Sequence, residues 1–187
     1  MKHLLYKSKR ALFALVILAF NLSFAAENEK KFEINPAVSL YTADTLRATF
    51  AGALQVDYRI NRTYWFGVSG FFGKAAIDTG TTVNAKDGDA WYGVEGNFYY
   101  NMVGILGEDK ETGSVIDLFT SIGLGYFQIG DEREPVGMIG GGMLIHFPVS
   151  WVALRFDLKN YMYVLQNPQG NDFNSDLTLL LGPAFLF

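Results

Sequence analysis

The sequence contains no cysteine, only two histidines and only five prolines among its 187 residues. Without cysteine, the chain forms neither a disulfide framework nor a cysteine-based zinc or redox site. Charged residues make up 18% of the chain, which is less than the roughly 25% of an average soluble domain. Half of the chain is apolar, and this excludes intrinsic disorder, which requires low hydrophobicity and high charge. The length is sufficient for one domain.

The first 26 residues have the pattern of a Sec signal peptide. Four basic residues and no acidic residue lie within the first ten positions, and residues 11–22 are almost wholly apolar. Small residues follow, so cleavage is expected near Ala25 or Ala26. A retained anchor is the alternative, but the apolar run is short beside the about 20 residues of a transmembrane helix. We therefore expect export by the Sec route, with residues 27–187 as the mature domain.

Removal of this segment makes the chain more acidic. The mature protein has 11 basic and 19 acidic residues, which gives a net charge of −8. Nucleic-acid-binding domains carry a basic patch, so this balance argues against a nucleic-acid partner. An exported chain without cysteine also lacks disulfides, and its fold must depend on burial or on a membrane.

After residue 27 the chain alternates apolar and polar residues with a period of two, which is typical of β-strands. In residues 152–159, for example, valine, leucine and phenylalanine at even positions alternate with alanine, arginine, aspartate and lysine at odd positions. The predicted strands are near residues 32–40, 53–60, 64–73, 92–100, 116–126, 136–147, 152–159 and 176–187, of which the glycine-rich sixth is the least clear. An even number of such strands predicts an all-β, eight-stranded antiparallel up-and-down transmembrane β-barrel.

The composition of the two strand faces favours an outward apolar face. Glycine, alanine and serine are frequent opposite the large apolar residues, as a narrow barrel interior requires, whereas a sheet exposed to water would carry many lysines and glutamates. Aromatic residues near the strand ends are expected to form two interfacial girdles: Tyr41, Tyr58, Tyr64, Trp65, Tyr99, Tyr100, Phe147, Trp151, Tyr161 and Tyr163. The alternative is a soluble periplasmic barrel that binds lipid in an apolar interior.

The lengths of the connections indicate the orientation. With the N-terminus in the periplasm, tight turns at 61–63 and 148–150 lie on the periplasmic side, where short connections are expected. Outer loops are predicted at 74–89, 131–135 and 165–175, which contain turn-forming glycine, proline, asparagine and aspartate. The long, charged connection at 101–115 is periplasmic in this scheme and is expected to be a solvated excursion.

Nine charged residues fall on the predicted inward face. They are Glu33, Arg47, Asp57, Arg59, Glu95, Asp117, Arg155, Asp157 and Lys159. The side chains of an eight-stranded barrel can fill its interior, and unpaired charges there would be costly. We therefore predict a plug of ion pairs and hydrogen bonds; a pore lining is the alternative.

No pattern in the sequence predicts catalytic, cofactor-binding or metal-binding residues. His146, the only histidine of the mature chain, is followed by Phe147 and Pro148, so no His-x-Ser motif is present. The three glycines at 140–142 are not followed by Lys-Ser or Lys-Thr, which a phosphate-binding loop requires. Histidine and carboxylate residues show no metal-ligand spacing. We expect a protein that is not an enzyme and has no cofactor.

Residues 140–187 resemble the family of small outer-membrane β-barrel domains that is related to the OmpA and OmpX types. The likeness lies in the three glycines that begin a strand, the turn Pro148-Val149-Ser150-Trp151, residues 153–161, and the alternating last strand at 177–187. Pro183 departs from the pattern, because proline removes a ladder hydrogen bond. The resemblance implies an eight-stranded barrel in the outer membrane.

The same resemblance implies partners and a role. Membrane lipid would surround the barrel, and periplasmic chaperones and the barrel-assembly machinery would act during biogenesis. The resemblance assigns the assembly signal to Leu181, Phe185 and Phe187. The first functional hypothesis is a structural or surface-interaction role without catalysis. The second is a narrow channel or an OmpW-like pathway for small hydrophobic molecules. The sequence indicates no extracellular ligand.

Overall fold

The computed structural model describes residues 30–42, 48–61, 63–74, 88–102, 116–129, 132–147, 151–167 and 170–187. Its strands are β1 (Phe32–Thr42), β2 (Thr49–Arg59), β3 (Tyr64–Lys74), β4 (Ala90–Asn101), β5 (Ile116–Ile129), β6 (Glu132–His146), β7 (Val152–Asn167) and β8 (Gly170–Leu186). Each strand pairs antiparallel with the next, and β8 pairs with β1, so the sheet closes on itself. The predicted all-β, eight-stranded antiparallel up-and-down barrel is therefore confirmed.

Five predictions concern residues that lie wholly or largely outside the described part of the chain. These are the signal peptide at 1–26, the inward charge of Arg47, the outer loop at 74–89, the connection at 101–115 and the tight turn at 148–150. Among the described residues, no helix has the length and apolar character needed to cross a membrane.

The predicted tight turn at 61–63 does connect β2 with β3. The side-chain oxygen Oδ1 of Asn61 accepts hydrogen bonds from the backbone N–H groups of Thr63 at 2.9 Å and Tyr64 at 2.8 Å. Asparagine commonly forms such turns because its side chain can replace a backbone acceptor. This turn lies at the end of the barrel where β1 begins and β8 ends, which we call the terminal end; the opposite end is the hairpin end.

The strands are strongly tilted. Following the paired residues around the barrel from Phe32 leads back to Thr42 on the same strand, a displacement of ten residues. With about 3.3 Å per residue along a strand and about 4.8 Å between strands, this displacement corresponds to a tilt of about 40°. An 11-residue strand such as β1 then spans about 28 Å along the barrel axis, close to the about 25 Å of an outer-membrane apolar band.

The large apolar side chains face outward. Phe50, Phe72 and Leu124 are 72%, 66% and 77% exposed, whereas Glu33 and Arg155 are 1% and 0% exposed inside the barrel. Because successive side chains of a strand point to opposite faces, one apolar face and one polar face follow from the alternation in the sequence. This arrangement is the reverse of a soluble barrel with an apolar cavity, and it argues against the soluble lipid-binding alternative.

Two predicted outer loops are wrong. β6 begins at Glu132, so most of residues 131–135 belong to a strand, and β7 and β8 extend so far that only residues 168–169 separate them. The pairing of β7 with β8 continues to Asn167 and Gly170. Beyond the apolar band, both faces of a strand are in contact with water, so polar residues on both faces can extend the strand. Such a segment lacks the alternation by which a strand is recognised in the sequence.

The prediction of the aromatic girdles is wrong for half of the residues. Tyr41, Trp65, Tyr99 and Tyr161 are buried inside the barrel, and Tyr163 is partly buried against an interior apolar cluster. All five occupy strand positions that alternate with the outward apolar residues, so position on the strand decides their side. The other five, Tyr58, Tyr64, Tyr100, Phe147 and Trp151, lie on the outward face or at a strand end and are partly or largely exposed.

Candidate functional site: the charged lumen

The lumen has apolar layers near both ends. Toward the terminal end, Trp65, Tyr99 and Phe119 form one buried cluster with ring centroids 5.7–6.2 Å apart. Toward the hairpin end, the larger cluster contains Tyr41, Ala51, Ala53, Phe71, Trp91, Phe127, Val136, Met138, Tyr161 and Leu180. Aromatic rings at such separations pack favourably in tilted and edge-to-face arrangements. Buried charges lie directly against the first cluster, where Arg155 contacts Tyr99 and Phe119, and continue toward the second, where Lys159 lies 5.8 Å from the ring centre of Phe71.

Arg155 on β7 is the centre of the first group of charges. Its Nε and Nη2 atoms donate to the two carboxylate oxygens of Asp157 at 2.8 and 3.1 Å, which is a bidentate ion pair. Its Nη1 atom donates to Oε1 of Glu33 at 2.7 Å and also to Asp57. Fork-shaped guanidinium groups suit several carboxylates at once because five N–H donors point in fixed directions. Arg155 therefore joins β7 with β1 and β2 across the lumen.

Aromatic rings and a second arginine complete this group. The guanidinium of Arg155 lies 4.9 Å from the ring centre of Tyr99 and 4.8 Å from that of Phe119. Arg59 donates to Oε2 of Glu33 at 3.1 Å, and its guanidinium lies 4.3 Å from the ring of Trp65. Contact with an aromatic face stabilises a desolvated cation. We call Glu33, Asp57, Arg59, Arg155 and Asp157 the Arg155 cluster.

A second group surrounds Lys159, which is fully buried. The ammonium of Lys159 forms an ion pair with Oε1 of Glu95. The same oxygen accepts hydrogen bonds from Ser69 Oγ at 2.6 Å and Asn97 Nδ2 at 2.8 Å. A buried charge is tolerated when it is paired and hydrogen-bonded in this way. We call Glu95, Lys159, Ser69 and Asn97 the Lys159 cluster.

Asp117 is separate from both clusters. It lies at the terminal end, where its Oδ2 atom is 2.8 Å from Nε2 of His146. The side chains are 11% and 23% exposed, so this pair is in partial contact with solvent. His146 occupies an inward strand position rather than the outer surface. No group of three or more histidine, cysteine or carboxylate residues in the described chain could hold a metal ion.

The structure thus groups the described members of the predicted set. Glu33, Asp57, Arg59, Arg155 and Asp157 form one cluster, Glu95 and Lys159 form another, and Asp117 stands at the terminal end. The prediction did not include the neutral members, although they share the same strand faces: Gln55, Ser69, Asn97 and Tyr99. Gln55 lies two residues before Asp57 and Asn97 two residues after Glu95, so the period of two was a signal that could have identified them.

One further buried carboxylate belongs to the hairpin end. Asp176 accepts a hydrogen bond from the hydroxyl of Tyr41, although 135 positions separate them in the sequence. Both are almost fully buried. The sequence placed Asp176 on the polar face of the last strand but did not include it in the charge network. The Tyr41–Asp176 and Asp117–His146 pairs thus each link neighbouring strands near one end of the lumen, whereas Lys159 on β7 reaches Glu95 on β4 across it.

Comparison with known proteins supports the fold. No protein-family model matches the chain, and no curated protein matches it. The crystal structure of Neisserial surface protein A (NspA) is 15% identical, with a TM-score of 0.59, and the match covers 86% of this chain and all of that chain. The N-terminal β-barrel domain of Pseudomonas aeruginosa OprF is 14% identical, with a TM-score of 0.55, and the match covers 85% and 98% of the two chains. At this identity the likeness shows the fold alone, which is that of the small eight-stranded outer-membrane β-barrels.

Proposed function

We propose that this protein is an integral outer-membrane β-barrel without catalytic activity, which has a closed lumen and a structural or surface-interaction role. The observation that carries the proposal is the separation of charge and apolar surface: paired charges lie inside the barrel and large apolar side chains lie outside. In water such an outer surface would be exposed to solvent, whereas a bilayer covers it. Only closed barrels and helices satisfy all backbone hydrogen bonds within a bilayer.

The outward face supports insertion into a membrane. Among the strand residues that the structure describes, the charged residues at outward positions are Lys74 and Arg133. Lys74 is the last residue of β3 and Arg133 the second residue of β6, so both lie at the hairpin end. An outer-membrane barrel keeps charge out of its apolar band, because a lysine or arginine at the midplane costs about 2–4 kcal/mol. The proposed band therefore lies between these residues and the terminal end.

The interior supports a plug rather than a channel. Arg155 alone contacts three carboxylates, and Glu95 accepts from an ammonium, a hydroxyl and an amide. Aromatic side chains packed against the Arg155 cluster, and the larger apolar cluster toward the hairpin end, would further obstruct the axial path. An eight-stranded barrel has room for side chains but little more. We therefore favour the closed lumen over the narrow channel or hydrophobic pathway.

The hairpin end supports a role in surface interactions. β1, β2 and β3 each have 11 residues, whereas β7 has 16 and β8 has 17. The ladder between β6 and β7 ends at Gly137 and Met162, but β7 continues to pair with β8 as far as Asn167 and Gly170. These last five residues of β7 add about 17 Å of strand. We propose that the extended hairpin, with the outer loops, is where an extracellular partner binds.

The remaining parts of the proposal concern biogenesis. We propose that the Sec machinery exports the chain, that residues 1–26 are removed, and that periplasmic chaperones and the barrel-assembly machinery complete insertion. Leu181, Phe185 and Phe187 would be the recognised residues of the last strand. Leu181 is 49% exposed on the outer surface, and the ring of Phe185 stacks on that of Trp151 with centroids 6.0 Å apart. Leu181 and Phe185 therefore lie on the outer side of β8, where an assembly factor could contact them before the strand enters lipid.

The experiment that tests the proposal combines fractionation, gel mobility and conductance. The exported protein should fractionate with the outer membrane, and an unheated sample should migrate differently from a boiled one, because a closed barrel resists detergent. In planar bilayers it should give no large, stable conductance. A soluble periplasmic protein without a mobility shift would overturn the membrane proposal. A stable channel in the unmodified protein would overturn the closed lumen and favour the transport hypothesis.

A further inference from the structure

Two prolines face each other in the ladder that closes the barrel. In the pairing of β1 with β8, Ile34 lies opposite Phe185 and Val38 lies opposite Leu181. The register is the same on both sides of the interval, so Pro36 lies opposite Pro183. Between these two pairs, residues 35–37 of β1 and 182–184 of β8 show no pairing in the described ladder. We call this interval the proline seam.

The proline seam removes two backbone hydrogen bonds at once. At the terminal end, Phe32 and Phe187 donate to each other's carbonyl groups at 3.1 and 2.8 Å. In an antiparallel ladder, pairs that exchange two hydrogen bonds recur at every second residue. Pro36 and Pro183 therefore occupy such a pair, two steps further along. Proline has no N–H group, so neither residue can donate.

Two neighbouring residues hold the strands together despite this loss. The side-chain Nδ2 of Asn35 donates to the carbonyl oxygen of Pro183 at 2.9 Å and so replaces one of the missing donors. At Gly182, a β-carbon would overlap the carbonyl oxygen of Pro36 and would lie 2.8 Å from the α-carbon of Ala37. The backbones of β1 and β8 are therefore in close contact at a position where glycine alone fits.

The other ladders are continuous at this height. β2 and β3, for example, pair without interruption from Arg59 and Trp65 to Ala51 and Gly73. Opening a ladder inside a bilayer exposes backbone groups that lipid cannot hydrogen-bond, so each intact pair resists separation. The proline seam lacks two such bonds and has one side-chain substitute, and it should separate more readily than any intact ladder.

The polar side chains on the lumenal side of the proline seam determine which molecules could enter through an opening there. Asn35 faces the lumen and is 1% exposed, and Glu33, two residues earlier on the same face, bonds to Arg155. A carboxylate and a guanidinium would gain hydration from water but would repel an apolar solute. We propose that the proline seam is a built-in opening of the barrel, where β1 and β8 separate locally and water reaches the Arg155 cluster while the other ladders stay closed.

Amide hydrogen exchange of the folded protein in detergent micelles or lipid nanodiscs, measured residue by residue by NMR, tests this proposal. Ile34 and Val38 point their N–H groups at β8 on either side of the seam. The reference amides are Val56 and Val68, a directly opposed pair of β2 and β3. We expect the seam amides to exchange about tenfold faster than the reference amides, as a local opening requires.

Substitutions give the matched comparison. Pro36→Val and Pro183→Val each restore a donor at an outward position, so each should slow exchange at Ile34 and Val38 toward the reference rate. Pro135→Val is the control. Phe147 donates to Val152, so the backbone N–H groups of odd-numbered β6 residues point toward β7. Pro135 lies beyond the last pair of the β6–β7 ladder, so a donor restored there has no ladder partner on β7. This control should leave the exchange of the seam amides unchanged.

A variant in the opposite direction keeps the test decisive if a valine variant fails to fold. Asn35→Leu removes the substitute donor and should accelerate exchange at Ile34 and Val38, while Val56 and Val68 keep their rates. Seam amides as protected as the reference amides would overturn the proposal. So would equal exchange in the parent protein and in the folded Pro36→Val, Pro183→Val or Asn35→Leu variants. Neither result depends on whether the protein has a surface-binding role.

Discussion

Arg155 and Glu33 form an ion pair at 2.7 Å although β8 lies between their strands. The contact is possible because β8 presents glycine and alanine to this part of the lumen: Gly182 lies directly opposite Arg155 in the β7–β8 ladder, and Ala184 lies two residues away. A larger side chain on that strand would occupy the space through which the arginine reaches. The ion pair thus connects β7 with β1 in addition to the backbone ladders.

The first prediction is that Arg155→Ala destabilises the barrel without opening a pore. The variant leaves Glu33, Asp57 and Asp157 buried without the cation that all three contact, and removal of one partner from a buried ionic group costs about 3–5 kcal/mol. Unfolding in denaturant with the protein in lipid vesicles would measure the loss, and bilayer recording would measure conductance. Arg133→Ala, at an exposed position of β6, is the control and should change stability by less than about 0.5 kcal/mol. A variant as stable as the control would contradict the structural role of Arg155.

The second prediction concerns the Lys159 cluster. Lys159→Met leaves the Glu95 carboxylate without its cation, and Glu95→Gln leaves the ammonium without its anion, so each single variant should be strongly destabilised. The double variant removes both charges, and the side-chain amide that replaces the carboxylate could still accept hydrogen bonds from Ser69 and Asn97. It should therefore be more stable than the sum of the single effects by about 2 kcal/mol. Denaturant unfolding of all four proteins measures this coupling, and additive losses would show that the two residues act independently.

Alternation in the sequence accounts for the side on which each residue lies. Glu33, Asp57 and Arg155 alternate with large apolar residues, so their inward position could be predicted from the period of two alone. The same rule places Trp65 and Tyr99 inside. The girdle prediction was wrong for them because it was based on their aromatic character near strand ends and not on their position in the alternation. Position on the strand is the stronger signal, because a side chain cannot change faces without a shift of register.

Alternation does not determine which inward residues lie at the same height. The displacement of ten residues around the barrel brings Arg155 beside Glu33 and Asp57, and the pairing of eight separate strands sets that displacement. The position of Pro36 opposite Pro183 depends on the same closure. The sequence identified Pro183 as a departure from the strand pattern, but its partner is 147 positions away and becomes apparent only when β1 meets β8.

The third prediction compares two glycines on strands. Gly182→Ala places a β-carbon against the backbone of Pro36 and Ala37, where a small shift of a side chain cannot relieve the overlap. We expect a loss of about 1–3 kcal/mol in the free energy of unfolding, as for other overpacked sites. Gly96→Ala is the matched control, because its β-carbon would face outward with nothing within 4 Å. That variant should be neutral or stabilised by up to about 1 kcal/mol, since alanine restricts the unfolded chain. Equal effects would show that close contact at the seam is unimportant.

The fourth prediction concerns orientation in the membrane, and the absence of native cysteine makes it directly measurable. The β3–β4 connection leaves the barrel at the hairpin end and the β4–β5 connection at the terminal end, because consecutive antiparallel strands alternate in direction. If the terminal end faces the periplasm, a membrane-impermeant maleimide should label Thr81→Cys in intact cells. Gly107→Cys should react only after the outer membrane has been made permeable. The cysteine-free parent controls for background, and complete labelling of both variants after lysis controls for reactivity. The reverse pattern would place the extended β7–β8 hairpin in the periplasm and would contradict its proposed role at the cell surface.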